Sequence, residues 1–353
     1  TVNRYFRAKA IAPLKLKSSS HIPNKINDTD ERLIPAYEEA LTAAGKKNPE
    51  LVVLDADLAL DCGLDSFRKS FPHRYIECGI AEMDMVSQAG GLALAGKLPI
   101  VHSFACFLTP RANEQIYVNA TEKTKIIYVG SLAGLLPAGP GHSHQSVRDI
   151  ALMSSIPGLI AFEPSSCTET TAVVNWMVAH AEGPCYLRLT SIPVELSFEP
   201  PAIEKLKPGY GTILREGDDG IVFGYGPVML SEAFAAAEII SQTSGYEICI
   251  VNLPWLNHID PSWLATTVGH HELVFTLDNH YRIGGQGDQI AALLTEIDVP
   301  NRLKVRRFGL SEIPVCGTNE EALHQHGLDQ KNLAKKITAY LIQDGTRDDA
   351  EHH

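Results

Sequence analysis

The chain has 353 residues, 44% of them hydrophobic and 20% charged, and no apolar run long enough to cross a bilayer; this excludes a membrane span and suits two domains of ordinary size. A net charge of −12 and a pI near 5.6 exclude a nucleic-acid binder, because neutralising phosphates needs a basic face. The 7 cysteines show no C-x-x-C spacing, so free thiols in a reducing cytoplasm are expected rather than a disulfide framework.

Residues 1–27 carry Arg4, Arg7, Lys9, Lys15, Lys17 and Lys25 and no acid, and read as an N-terminal arm, either reaching a partner or solvated. From Thr29 amphipathic stretches alternate with short β-rich apolar runs, the rhythm of a parallel α/β sheet. The pattern predicts a helix over 29–47, a strand at 51–54, a helix over 81–95, a strand at 100–101, a helix over 110–122 and a strand at 126–129. A helix over 168–181 and a strand at 186–189 complete a first domain over 28–196. Pro200, Pro201 and Pro208 cannot donate backbone hydrogen bonds and mark a linker over 197–213. A second, smaller βα series over 214–342 holds strands at 221–223, 247–251 and 273–277, a helix over 228–241 and a closing helix over 330–342. The polar residues 343–353 read as a disordered tail. The fold class is therefore α/β, with two parallel-sheet domains.

The chemistry concentrates in Arg74-Tyr75-Ile76-Glu77-Cys78-Gly79-Ile80-Ala81-Glu82-Met83, where a strand enters a small-residue turn and then a helix with a carboxylate in its first turn. Set in an apolar helix start, Glu82 is fitted for proton exchange with a ring nitrogen. The alternative is that it only complements the helix dipole. Asp55, Asp57 and Asp61 lack the pattern of a calcium loop and read as a solvated turn. His142 and His144 at i and i+2, without a third ligand, do not make a metal site, so no metal is expected on this chain. The clusters Gly224–Gly226 and Gly284–Gly287 lack the dinucleotide fingerprint and suit tight turns.

Taken in order and spacing, several of these motifs resemble the transketolase family. Tyr75 to Met83 is similar to the motif ending in that family's cofactor-activating glutamate, Leu54-Asp55-Ala56-Asp57 to its Leu-Asp-Gly-Asp turn, and Ser103-Phe104-Ala105-Cys106-Phe107 to its Phe-x-x-Phe loop. Ser143-His144-Gln145, Ile156-Pro157 and Leu187-Arg188 fall where the family has its His-Gln, its Ser-x-Pro and a substrate arginine. The resemblance implies a pyrimidine-binding domain followed by a transketolase C-terminal domain. It also implies thiamine diphosphate as cofactor, with Glu82 at the pyrimidine nitrogen remote from the amino group and Phe104, Phe107 and Ile80 around the ring. His144 and His142 would then meet the substrate, His144 as a proton-handling catalytic group, and Arg188 would grip a substrate phosphate.

Where the family places other phosphate-binding and hydroxyl-reading residues, this chain has Ile34, Asp61, Leu132 and Pro140. No Gly-Asp-Gly motif followed by Asn, the family's diphosphate and metal signature, occurs in it. The resemblance therefore implies a partner subunit that holds the diphosphate and Mg2+ or Ca2+, in an α2β2 assembly. The expected activity is transfer of a two-carbon ketol unit from a ketose phosphate to an acceptor. Two alternatives remain open: acyl or glycolyl transfer to a lipoyl group or acyl carrier protein, since Gly141 to Gln145 also resembles a loop of pyruvate dehydrogenase beta subunits, and a non-catalytic scaffold.

Overall fold

The computed structural model describes residues 27, 29–201, 206–299 and 303–351. All but one residue of the expected N-terminal arm lie outside these. The helices and strands of the first half are α1 (Leu33–Lys47), β1 (Leu51–Asp55), α2 (Asp65–Ser70), β2 (Tyr75–Glu77), α3 (Glu82–Leu94), β3 (Leu98–Phe104), α4 (Ala105–Arg111), α5 (Asn113–Thr121), β4 (Ile127–Ser131), α6 (Asp149–Ser154), β5 (Ile160–Phe162), α7 (Cys167–Ala179) and β6 (Cys185–Arg188). The second half has β7 (Thr212–Arg215), β8 (Gly220–Gly224), α8 (Pro227–Ser244), β9 (Ile248–Asn252), α9 (Pro261–Val268), β10 (Leu273–Tyr281), α10 (Gln286–Glu296), β11 (Lys304–Leu310), α11 (Asn319–His326) and α12 (Gln330–Glu351).

The uninterrupted apolar runs become strands because both faces of each sheet are covered, and a doubly covered parallel sheet needs hydrophobic side chains on both sides. In β1 the alternation of the pleat sends Leu51 and Val53 toward α1 and α7, and Val52 and Leu54 toward α3, α5 and α6. Six parallel strands form the first sheet in the order β2-β1-β3-β4-β6-β5. The second sheet, β11-β10-β8-β9-β7, is parallel except at its edge, where β7 runs antiparallel to β9 and begins inside the expected linker.

The two domains share hydrophobic core. Phe162 at the end of β5 packs on Trp255 at 4.6 Å between ring centres, Trp255 meets Trp176 of α7 edge-on at 5.0 Å, and one apolar cluster runs on into β8, β9 and α9. The helix expected over 110–122 is instead two. Pro110 sits inside α4 with no N–H of its own for the ladder; α4 closes at Arg111, capped by the Ala112 N–H on Leu108 O, and α5 starts afresh. The closing segment also departs from expectation: α12 continues past residue 342 to Glu351, with no proline to stop it. No helix among the described residues is long and apolar enough to cross a membrane.

Candidate active site

The candidate site lies at the carboxyl ends of β2, β3 and β4, where open parallel sheets place their ligands. Glu77, last in β2, accepts the backbone N–H groups of Asp57 at 3.0 Å and Gly79 at 2.9 Å. That pins a turn in which Gly79 takes φ +70°, a left-handed conformation glycine adopts without strain. The turn delivers Glu82 as the first residue of α3, 4% exposed. Its Oε1 accepts a hydrogen bond from Ser103 Oγ at 3.2 Å and an ion-paired one from Arg111 Nη1 at 2.8 Å. The acid thus sits at the helix start as expected, but beside a guanidinium and a hydroxyl rather than in a wholly apolar setting.

The strand–helix junction β3–α4 carries the aromatic wall. Phe104 and Phe107 lie 5.8 Å apart, and the His144 ring meets both edge-on, at 6.1 and 5.2 Å. Arg111 stacks its guanidinium 4.0 Å from the centre of Phe107, so one side chain ties the ring to the acid. The His144 backbone N–H donates to Gly141 O at 3.0 Å, and Ser143 Oγ lies 3.0 Å from His144 Nδ1, which orients the imidazole. Glu82, Phe104, Phe107 and His144 are therefore brought together. Ser103 and Arg111 belong to the same cluster, although the sequence points to neither as a functional group. A faint signal for Arg111 exists: it lies four residues after Phe107, the spacing that stacks side chains on one helix face.

One expected site residue stands elsewhere. Arg188, read as a substrate-phosphate grip, is fully buried, and every nitrogen of its guanidinium is engaged: Nε with Asp149 at 2.8 Å, Nη1 with Glu163, and Nη2 with the carbonyls of Ser146 at 3.0 Å and Asn279 at 2.7 Å. The correction is physical: its charge is spent inside the protein, joining the first domain to β10 of the second, and presents no fork to a substrate. Ile80 is 75% exposed on the turn, and His142 is exposed on its loop. Asp55 corrects the expected solvated turn. It is wholly buried, accepts hydrogen bonds from Tyr75 Oη at 2.8 Å and the Leu58 amide at 3.2 Å, and burial pushes its carboxyl up to about 6. At the departures from the family pattern, Ile34 is half-buried, Asp61 and Pro140 are exposed, and Leu132 takes φ +53° with its N–H bound to Ser191 Oγ. A groove of about 880 Å³ opens between α1, α7 and Pro208, away from this chemistry.

Two mainly parallel α/β domains in this order define a transketolase-type domain pair, and comparison with known proteins agrees. The transketolase pyrimidine-binding domain model matches residues 33–194 and the transketolase C-terminal domain model residues 209–333. The chain is 31% identical over 315 residues to the putative transketolase C-terminal section of Methanocaldococcus jannaschii, covering 89% of this chain and 97% of that protein. It is 29% identical over 317 residues to a 6-deoxy-6-sulfo-D-fructose transketolase subunit of a Clostridium species, covering 89% and 95%. Of the longer transketolase-like protein 2 of Mus musculus, 34% identical, it spans 47%. A solved split-gene transketolase, described as an inactive beta4 tetramer, superposes with a TM-score of 0.76 at 31% identity over 87% of this chain and 97% of that one. The chain belongs to the transketolase family, and it spans the pyrimidine-binding and C-terminal domains.

Proposed function

We propose that this chain is the pyrimidine-holding subunit of a thiamine-diphosphate-dependent enzyme that moves a two-carbon ketol unit from a ketose to an acceptor. The observation that carries the reading is the buried carboxylate of Glu82, set at a helix start and tied through Arg111 to the ring cluster of Phe107, Phe104 and His144. These residues fit the aminopyrimidine end of the cofactor: a carboxylate for a ring nitrogen and phenyl faces for a planar ring. For its diphosphate end the family's Gly-Asp-Gly…Asn signature is absent from the sequence. In this reading a second chain supplies the diphosphate grip and Mg2+ or Ca2+, in an assembly of two of each chain. The relatives named as a subunit and as a split-gene protein support that arrangement.

Bound thiamine diphosphate supplies the nucleophilic carbon that carries the two-carbon unit. Glu82 holds and exchanges a proton at the pyrimidine nitrogen, and Phe104 and Phe107 wall the ring from water. His144, oriented by Ser143, handles the proton of a substrate hydroxyl. Ile34, Asp61, Leu132 and Pro140 provide no cation and Arg188 is committed inside, so this chain does not grip a phosphate dianion with any of them. A ketose whose far end is a different group suits such a site, and the relative named for a sulfonated fructose points the same way. The relatives reported above are named as a putative transketolase section, a transketolase-like protein and a transketolase subunit, which favours ketol transfer over transfer to a lipoyl or carrier thiol.

The test combines the chain with a polypeptide carrying the missing Gly-Asp-Gly…Asn signature, a ketose and an aldose, with products identified by mass. The chain alone should be inactive and the mixture active only with thiamine diphosphate. Glu82→Ala should lower turnover by about 10²–10⁴-fold, the usual contribution of a positioned proton-transfer group. Robust turnover by that variant would reject the reading.

A further inference from the structure

We propose that Arg111 is a positioning residue, one that locks the Glu82 carboxylate against the aromatic wall and lowers the pH at which a pyrimidine held there gains its proton. The proposal rests on the thiamine-dependent reading above. Glu82 needs such a lock. Its helix cap, Ala81, provides no side-chain hydrogen bond, and a glutamate side chain has enough free torsions to turn its carboxylate away. Two donors from β3 and α4, Ser103 Oγ and Arg111 Nη1, converge on the same oxygen, Oε1. Among the described residues Oε2 accepts no hydrogen bond, and it is not one of the sealed, unpartnered atoms. One oxygen is thus anchored and the other is left open to a ring nitrogen.

Arg111 is itself well fixed for this task. It is the last residue of α4, and its guanidinium carbon lies 4.0 Å from the centre of the Phe107 ring. A single planar cation therefore sets the acid and one aromatic face relative to each other, as a lysine's point charge could not. Its side chain is 43% exposed, so the charge is held without a second buried partner. The titratable groups around the acid are Cys106 and Arg111 of α4, with Asp149 of α6 also acting on Cys106; His144 lies against Phe107, and Asp84, two residues along α3, is bound to Gln88. Arg111 is the cation in direct contact with the acid. A fixed cation next to the site opposes protonation of a ring bound to Glu82.

The experiment uses the chain assembled with its diphosphate-binding partner and thiamine diphosphate. It follows the near-ultraviolet circular dichroism of the bound aminopyrimidine, whose protonation states differ in spectrum, across a pH series. Arg111→Ala and Arg111→Gln should raise the midpoint of ring protonation by about one pH unit, the scale of losing one neighbouring charge. Arg111→Lys, which keeps the charge and loses the stacked fork, should hold the midpoint near wild type while binding thiamine diphosphate about threefold to tenfold more weakly. Melting temperatures of the free chains should move by less than about 3 °C, since a half-exposed ion pair adds little to stability. Midpoints for the Ala and Gln variants equal to wild type would overturn the proposal and leave the functional reading intact. A wild-type complex that binds no thiamine diphosphate would overturn both.

Discussion

Asp55 and His102 face each other across β1 and β3 as register partners, both wholly buried, and burial drives them in opposite directions. It raises the Asp55 carboxyl from 3.8 to about 6 against the hydrogen bonds from Tyr75 and Leu58, and lowers the His102 imidazole from 6.5 to about 4. For Asp55 the folded value lies above the unfolded one. Its contribution to stability is complete below pH 3.8 and is lost as the pH rises through about 6. For His102 the folded value lies below, so its contribution is complete above pH 6.5 and is lost as the pH falls through about 4. The two effects oppose each other over the same window and flatten the wild-type pH profile. Asp55→Asn removes one of them. Relative to wild type, that variant should gain up to about 3 kcal/mol of stability between about pH 4 and about pH 7. Denaturant unfolding of both proteins at the two pH values measures the difference, and a gap independent of pH would remove Asp55 ionisation from the account.

At the level of elements, Arg188 ends β6 and is bound by α6, by the strand end after Phe162 and by β10, so it joins three segments and both domains. Removing one partner of a buried ion cluster leaves the others uncompensated, at a cost of about 3–5 kcal/mol. Arg188→Met should therefore lower the melting temperature by roughly 5–15 °C, whereas a substrate-gripping arginine would leave melting unchanged and raise only the KM. Calorimetry beside steady-state kinetics separates the two. The buried state of Arg188 was not legible in its neighbours, because its partners Asp149, Glu163 and Asn279 lie 39, 25 and 91 residues away. The inner strands β1 and β4 were legible as apolar runs, whereas only Ile100-Val101 of β3 was, because Pro99, His102 and Ser103 interrupt it. The edge strand β11, Lys-Val-Arg-Arg-Phe-Gly-Leu, carries charges whose aliphatic stems give its half-buried pattern, and periodicity does not find it. In the site, Glu82, Phe104, Phe107 and His144 stood out through motif order. Arg111 follows Phe107 at helical spacing, but its contact with Glu82 spans 29 residues, which no local pattern reveals.

Across the whole molecule, the core around Phe162, Trp176 and Trp255 joins the C-terminal domain to the α7 side of the first sheet, Tyr225 and Leu256 join it to the other, and that other, α3 side bears the acid. On that side a buried carboxylate is flanked in sequence by apolar side chains in water: Ile80 is 75% and Met83 56% exposed, either side of Glu82. Apolar groups placed around a functional acid favour a second surface there, because covering each one stabilises an assembly by about 1.5–3 kcal/mol. The proposed diphosphate-binding chain must also approach this edge if one cofactor is to reach from its metal to Glu82. Ile80→Glu combined with Met83→Glu should therefore weaken association with that chain by at least about tenfold, or about 1.4 kcal/mol. Sedimentation of the mixture over a concentration series measures it. The free variant should melt as wild type does, since neither side chain is buried within the chain. Unchanged association would move the docking face away from α3 and separate the exposed pair from the assembly of the active site.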